Sequence, residues 1–340
     1  MPEFLKLVEP EKALELLFSH LESKPEGELI AAREALGRIT KTDVRSPQSL
    51  PDFRRSTVDG FAVRAVSTYG AGETLPAYLQ LIGEVPMGGE PGFKIDQGQS
   101  AVIHTGGMLP EGADAVVMME YTQVLDDEQL EVYRAAAVGE NVIEIGEDIQ
   151  QEEVIVPAGI QLRVPEIGAL MALGITDLQV VKKPVVGILS SGDEVIPPEQ
   201  LPVPGQVRDI NSYTLSGLIS EAGGQAVPYG IIPDNRREMK EAIRKAHQET
   251  DMVIVTAGSS ASSRDLTAEL MDEMGEPGLL VHGVNVKPGK PTIFAVADGK
   301  PLIGLPGNPV SAYVIADQFV IPVLRKIQGL KTKRQRSRVQ

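Results

Sequence analysis

The sequence has no cysteine and no tryptophan, and only 4% of its 340 residues are aromatic. Without cysteine, disulfides, thiolate metal sites and a cysteine nucleophile are excluded. With so few rings, the core has to be mostly aliphatic. No apolar run approaches the roughly 20 residues that a membrane helix needs. The first residues, MPEFLKLVEPEKALELL, mix glutamates with apolar residues and lack the basic start and apolar centre of a signal peptide, so a soluble, cytoplasmic chain is expected. Positive charge is also scarce: 32 Lys and Arg against 47 Asp and Glu give a formal net charge of −15. Duplex binding needs a basic surface, so neither nucleic acid nor membrane is expected as a partner. An anionic ligand would be repelled at long range, and local lysines, backbone N–H groups or a divalent cation would have to offset that field. The four histidines, His20, His104, His247 and His282, show no ligand spacing, and there is no Walker lysine loop or nucleophile elbow.

The residues present suit a large folded body. Hydrophobic residues make up 42% and charged residues 23%, enough for a sizeable core, and the length suits two or three domains. Helix is expected near the start, with Pro10 in the first turn and Ala13, Leu14, Leu17 and Leu21 on one face. A second short helix is expected over residues 29–36, stopped by Gly37. Residues 41–139 read as a β-rich lobe, because prolines and glycines recur between short apolar runs at 61–63, 78–82, 101–103 and 115–118. A strand at 154–156 and a helix at 166–173 follow. From Pro184 strands (185–189, 226–232, 252–256, 302–305) alternate with helices (211–222, 236–247, 266–274, 309–327), the pattern of a parallel, doubly wound α/β sheet. The domain division expected is 1–40 with 140–180, then 41–139, then 181–327, with a basic tail at 328–340.

In such sheets ligands sit beyond the carboxyl ends of strands, near helix N-termini. Three loops qualify. The first is SSGDE, with Ser191, Gly192, Asp193 and Glu194. The second is TAGSSASSRD, where Gly258, Ser259 and Ser260 supply hydroxyls and free backbone to cradle an anion. The third combines KPGKP, which holds Lys287 and Lys290 close together, with the turn GLPGNPVS, carrying Pro306, Gly307, Asn308, Pro309 and Ser311. Two lysines held close together are unfavourable unless an anion lies between them. Asp59, Asp148, Asp234 and Asp265 would each, taken alone, suit a turn or a helix cap. As a set, Glu194, Asp234 and Asp265 follow expected parallel strands, and carboxylates gathered at that edge suit Mg²⁺ held partly by ligand phosphates.

The stretches RRSTVDGFAV, IHTGGMLPEGADAVVMME, GEDI, VVGILSSGDEV, GIIPDN, KPGKP and GLPGNPVSAY, in this order, resemble the molybdopterin molybdenumtransferase family, which includes the E domain of gephyrin. The likeness runs over residues 46–322. It implies an elongated first domain with an inserted β lobe, and an α/β domain that holds molybdopterin. It also implies a homodimer with its cleft between the β lobe of one subunit and the α/β domain of the other. The implied substrates are adenylylated molybdopterin and molybdate, with Mg²⁺. The implied partners are the molybdopterin adenylyltransferase and apo-molybdoenzymes. By resemblance Asp59, Thr105 and Asp148 serve the cleft from the lobe, Glu194, Asp234 and Asp265 handle Mg²⁺ and pyrophosphate, and Lys287, Lys290 and Ser311 hold anionic groups. The sequence departs from the family where a glycine-rich SGGVSVG stretch becomes TAGSSASSRD, at Ile145 in place of a basic residue, and in having a basic tail where a small C-terminal β domain is usual. Those departures keep a second reading open, a non-catalytic molybdopterin carrier.

Overall fold

The computed structural model describes residues 7–21, 24–126, 128–257 and 261–331. They form two compact units, the described residues of Val44–Val156 with Ala172–Gly174, and those of Met1–Asp43, Pro157–Met171 and Ile175–Gln340. Residues 140–156 therefore pack with the lobe, whereas the sequence reading groups them with residues 1–40. The reason is pairing: Val142–Ile143 runs antiparallel to Arg55–Ser56, and Val154–Val156 to Val44–Arg45.

The chain opens with helix α1 (Pro10–Ser19), its proline in the first turn where a missing N–H costs nothing. The helix expected over 29–36 does not form. Gly27–Ala31 is instead a strand, paired antiparallel with Asp177–Val181 in the same unit, and only Ala32–Glu34 makes a 3₁₀ turn. Leu29 stays exposed, so the apolar periodicity there does not mark a buried face, and strand pairing overrides the local preference.

The lobe is one six-stranded sheet: β1 (Gly60–Val63), β2 (Ala77–Glu84), β3 (Gln99–Ile103), β4 (Ala115–Met118), β5 (Thr122–Asp126) and β6 (Gln129–Val132), in the order β4-β1-β3-β2-β6-β5. Alternate residues fill two cores on its two faces. Phe61, Val63, Val117 and Leu130 lie on one, and Ala62, Ala101, Ile103 and Val116 on the other.

After α2 (Val164–Ala172) comes the second sheet: β7 (Val185–Ser191), β8 (Gln225–Ile232), β9 (Met252–Ala257), β10 (Pro277–His282), β11 (Ile293–Ala297) and β12 (Lys300–Pro306). Its order is β8-β7-β9-β12-β11-β10, and β8, β7, β9 and β12 are parallel. Helices α3 (Asn211–Glu221), α4 (Arg236–Glu249) and α5 (Ala261–Asp272) lie between the parallel strands in sequence. Neighbouring residues of one strand feed opposite cores. Ile188, Ile254 and Ile303 meet α1, α3 and the last helix, while Leu189, Val253, Val255 and Leu302 meet α4 and α5. The doubly wound sheet expected from the sequence is present. The antiparallel edge of β10 and β11 is additional, because its apolar runs lie between helix-like flanks without a distinguishing period.

The last helical segment is interrupted. Helix α6 (Pro309–Ile315) passes through one π-helical turn (Ala316–Val320) into α7 (Ile321–Ile327). Pro322 offers no N–H and its ring would crowd the carbonyl four residues back, and a wider turn just before it relieves that crowding.

Gly60 is a sharp test of the lobe's packing, since a Cβ there would lie 2.0 Å from the Val117 carbonyl oxygen. Gly60→Ala is expected to destabilise the lobe by about 2–3 kcal/mol or more. A urea unfolding midpoint equal to that of the parent protein would contradict this packing.

Candidate active site

Because β7, β9 and β12 run parallel, Ser191, Ala257 and Pro306 end at one edge of the α/β sheet. At the end of β7, Ser190 Oγ donates to Asp209 Oδ2 (3.0 Å) and pairs with Ser212 Oγ (2.9 Å), while Thr256 Oγ1 donates to Ser190 Oγ (3.3 Å). Asp209 Oδ1 accepts from the Ser212 N–H in the first turn of α3 (3.1 Å). These four side chains are buried and hold one another. Ser191, one residue on and 3% exposed, has an Oγ with no hydrogen-bond partner among the described residues. A buried hydroxyl in that state carries a desolvation penalty that a ligand oxygen would relieve.

The loops beyond the strands are tied together. Gly192 has φ 140°, and a Cβ there would sit 2.8 Å from Glu194 Oε2, so the Glu194 carboxylate folds back over a bare backbone. Asp193 Oδ1 accepts from Asp234 N–H (3.1 Å), joining the loops after β7 and β8. Asn211 Nδ2 donates to the Gly307 carbonyl (2.9 Å), joining α3 to the turn after β12. Asn308 Oδ1 accepts from the N–H groups of Val310 (3.1 Å) and Ser311 (3.3 Å). Asn308 thus caps α6, with Pro309 as its first residue, and those two donors serve the cap instead of pointing to a ligand. Pro306 is buried, and the Ser311 side chain is partly exposed in the first turn.

Strand β11 is antiparallel to β12, so it begins at this same edge, and the turn carrying Lys287 and Lys290 lies just before it. The Lys290 carbonyl accepts from Val284 N–H, and the Gly289 carbonyl accepts from Thr292 Oγ1 (2.6 Å). Gly289 has φ 113°, and a Cβ would meet Ile315 Cδ1 at 2.3 Å. Only glycine lets this turn lie against α6, which holds two exposed lysines at the strand ends. Asp265 does not start a helix as expected. It sits in the second turn of α5, with its Oδ1 3.8 Å from His282 Nε2 at the end of β10. Among the described residues, no three His, Asp or Glu side chains converge into a group that could hold a metal ion, so Glu194, Asp234 and Asp265 do not form a preassembled metal cage. Gly258, Ser259 and Ser260 lie outside the described residues.

The lobe carries its own polar cluster. Asp59 Oδ1 accepts from the N–H (2.7 Å) and the hydroxyl (3.0 Å) of Thr105. These two bonds, the backbone one first, hold the Asp59 carboxyl below the usual carboxylate range. His104 Nδ1 lies 3.8 Å from the same oxygen, and its Nε2 is 3.1 Å from Glu84 Oε1. Asp148 Oδ2 lies 3.7 Å from the Arg55 guanidinium.

Comparison with known proteins connects the two clusters to one family. Residues 8–174 match the MoeA N-terminal region (domain I and II), and residues 187–326 match the family described as "Probable molybdopterin binding domain". Molybdopterin molybdenumtransferases of Nostoc and of Haemophilus influenzae are each 33% identical, over 92% and 89% of this chain and 72% and 74% of theirs. The chain belongs to the molybdopterin molybdenumtransferase family. Two solved structures of the molybdopterin biosynthesis MoeA protein of Pyrococcus horikoshii superpose with TM-scores of 0.83 and 0.84, at 39% and 32% identity, covering 96% of this chain and 81% of theirs.

Within this family fold, Ser191, Gly192, Asp193, Glu194, Asp234, Asp265, Lys287, Lys290 and the residues 306–311 all belong to the C-terminal edge of the α/β sheet. Asp59, Thr105 and Asp148 belong to the lobe. The sequence reading took Ser190 and Thr256 into its SSGDE and TAGSSASSRD loops and found no ligand spacing for His282, but it passed over Asp209 and Ser212. The Asp-Ile-Asn run before α3 was a readable helix-start signal for Asp209. His282 had no such cue, since its partner is distant in sequence.

Two outcomes are expected. In Thr105→Val the hydroxyl bond is gone and the backbone bond remains, so the Asp59 carboxyl should move part of the way up towards its ordinary value, as followed by carbon-13 NMR titration. The sign for stability follows: the Asp59 contribution is present above the unfolded value and fades as pH falls through the lowered folded value. An unmoved titration would remove the hydroxyl as a cause. Gly289→Ala is expected to destabilise the α/β unit by about 1–3 kcal/mol, read as a lowered thermal midpoint.

Proposed function

We propose that this enzyme of molybdenum cofactor biosynthesis inserts molybdate into adenylylated molybdopterin, with cleavage of the adenylate and release of AMP. The observation that carries the reading is the edge of the α/β sheet, where a turn packed against α6 through Gly289 carries two exposed lysines and Ser191 keeps a buried hydroxyl with no partner among the described residues. Molybdopterin brings a terminal phosphate and, once adenylylated, a pyrophosphate. Lys287 and Lys290 are compact cations suited to such groups. The Ser191 hydroxyl would donate to a ligand oxygen. The pterin supplies soft dithiolene sulfurs for molybdenum, so a chain without cysteine lacks no metal donor.

Hydrolysis adds water across the phosphoanhydride and yields AMP and the pterin phosphate. In the insertion, two Mo–S bonds form while one molybdate oxygen leaves as water with the two dithiol protons, and no electron changes hands. The donors at this edge are carboxylate oxygens, which fit Mg²⁺. Since no three of them converge among the described residues, Glu194, Asp234 and Asp265 would share the ion with phosphate oxygens and water. Bound there, Mg²⁺ would neutralise charge on the phosphate that is cleaved. Asp59, kept ionised by Thr105, and Asp148, beside Arg55, are assigned to the same reaction in a cytoplasmic homodimer.

The test supplies adenylylated molybdopterin, molybdate and Mg²⁺ to the purified protein. AMP release is expected, reduced about 100-fold or more in Asp234→Ala. Bound pterin without AMP release would assign the chain as a carrier, and absence of pterin affinity would reject both readings.

A further inference from the structure

At the opposite edge of the α/β sheet, where β7, β9 and β12 begin, the same unit carries a cleft of about 420 Å³. That is within the usual size range of small-molecule sites. Five lysines line it, Lys24, Lys182, Lys183, Lys300 and Lys326, against two carboxylates, Glu26 and Asp251. Both carboxylates have partners. Glu26 pairs with Lys182 at 2.7 Å, and Asp251 Oδ2 accepts from the Val185 N–H at 2.8 Å.

Helix C-termini gather at this edge of a doubly wound sheet, and cations there offset their partial negative charge. That accounts for two of the lysines. Lys300 Nζ donates to the His247 carbonyl (2.9 Å) near the end of α4, and Lys326 lies in the last turn of α7, its Nζ 6.0 Å from the centre of the Phe18 ring. It does not account for Lys183, which is exposed and has no ion pair or hydrogen bond among the described residues. Nor does it explain why five cations converge in a chain of net charge −15. Like charges gathered in a concave site are unfavourable without an anion between them, and the concavity strengthens their field.

The walls are not only charged. Leu21, Pro184 and Pro301 are buried and give the cleft an apolar floor. Cations around an apolar floor match a ligand that joins phosphate groups to a ring system.

We propose that this cleft binds a phosphorylated ligand of nucleotide size, at a site separate from the one at the strand ends. The experiment uses ADP as probe and isothermal titration calorimetry at low salt. A Lys287→Ala/Lys290→Ala background weakens the first site. ADP is expected to bind in that background, and addition of Lys183→Glu and Lys326→Glu is expected to weaken it at least about tenfold, with unchanged circular dichroism. Lys183→Glu alone, which removes no described contact, should give a smaller loss in the same direction. No ADP binding in the background, or binding that charge reversal leaves unchanged, overturns the proposal.

Discussion

Parallel pairing of β7 with β8 and β9, continued from β9 to β12, is the constraint on which the rest of the α/β unit depends. It sends the carboxyl ends of β7, β8, β9 and β12, with the loops that carry Ser191, Gly192, Asp193, Glu194, Asp234 and Gly307, to one edge. It also buries both faces of the sheet, so the strands must be aliphatic on both sides, as Ile188-Leu189 and Leu302-Ile303 are. The polar residues Ser190, Asp209, Ser212 and Thr256 are tolerated at the ends only because each has a partner. Ser191 is the exception, and it lies where a ligand is expected.

Electrostatics follow from the same arrangement. The chain is strongly acidic, yet the phosphate-binding site proposed for it has to attract anions. The two lysines assigned to that task sit on a short turn packed against α6, where Gly289 meets Ile315 and any side chain would collide. The lobe solves the converse problem at Asp59, where hydrogen bonds from Thr105, more than the charge of His104, favour the ionised form. In both places backbone geometry, more than net charge, sets the local field.

Much of this was legible in the sequence. The alternation of apolar runs and helices from Pro184 revealed the sheet, and the turns KPGKP and GLPGNPVS, expected to form one wall of a site, lie together at the edge where β12 ends and β11 begins. Residues 29–36 were misread because their apolar spacing suits a helix, while the pairing of Leu29 with Gln179 lies 150 residues away and leaves no local trace. The strands β10 and β11 were missed for a similar reason, since short apolar runs carry no period that separates strand from helix. Asp265 was placed at a helix start because the serines before it looked like loop, whereas α5 begins at Ala261. The partnership of Asp265 with His282 joins two elements distant in sequence, and only the folded chain reveals it.

The most direct measurement of the central claim is a crystal structure of the protein with molybdopterin and molybdate, with anomalous scattering collected at the molybdenum edge. Density for the pterin phosphate against Lys287, Lys290 or Ser191, with the molybdenum peak at the carboxyl ends of β7, β9 and β12, is the expected result. Pterin and molybdenum bound away from that edge would contradict it.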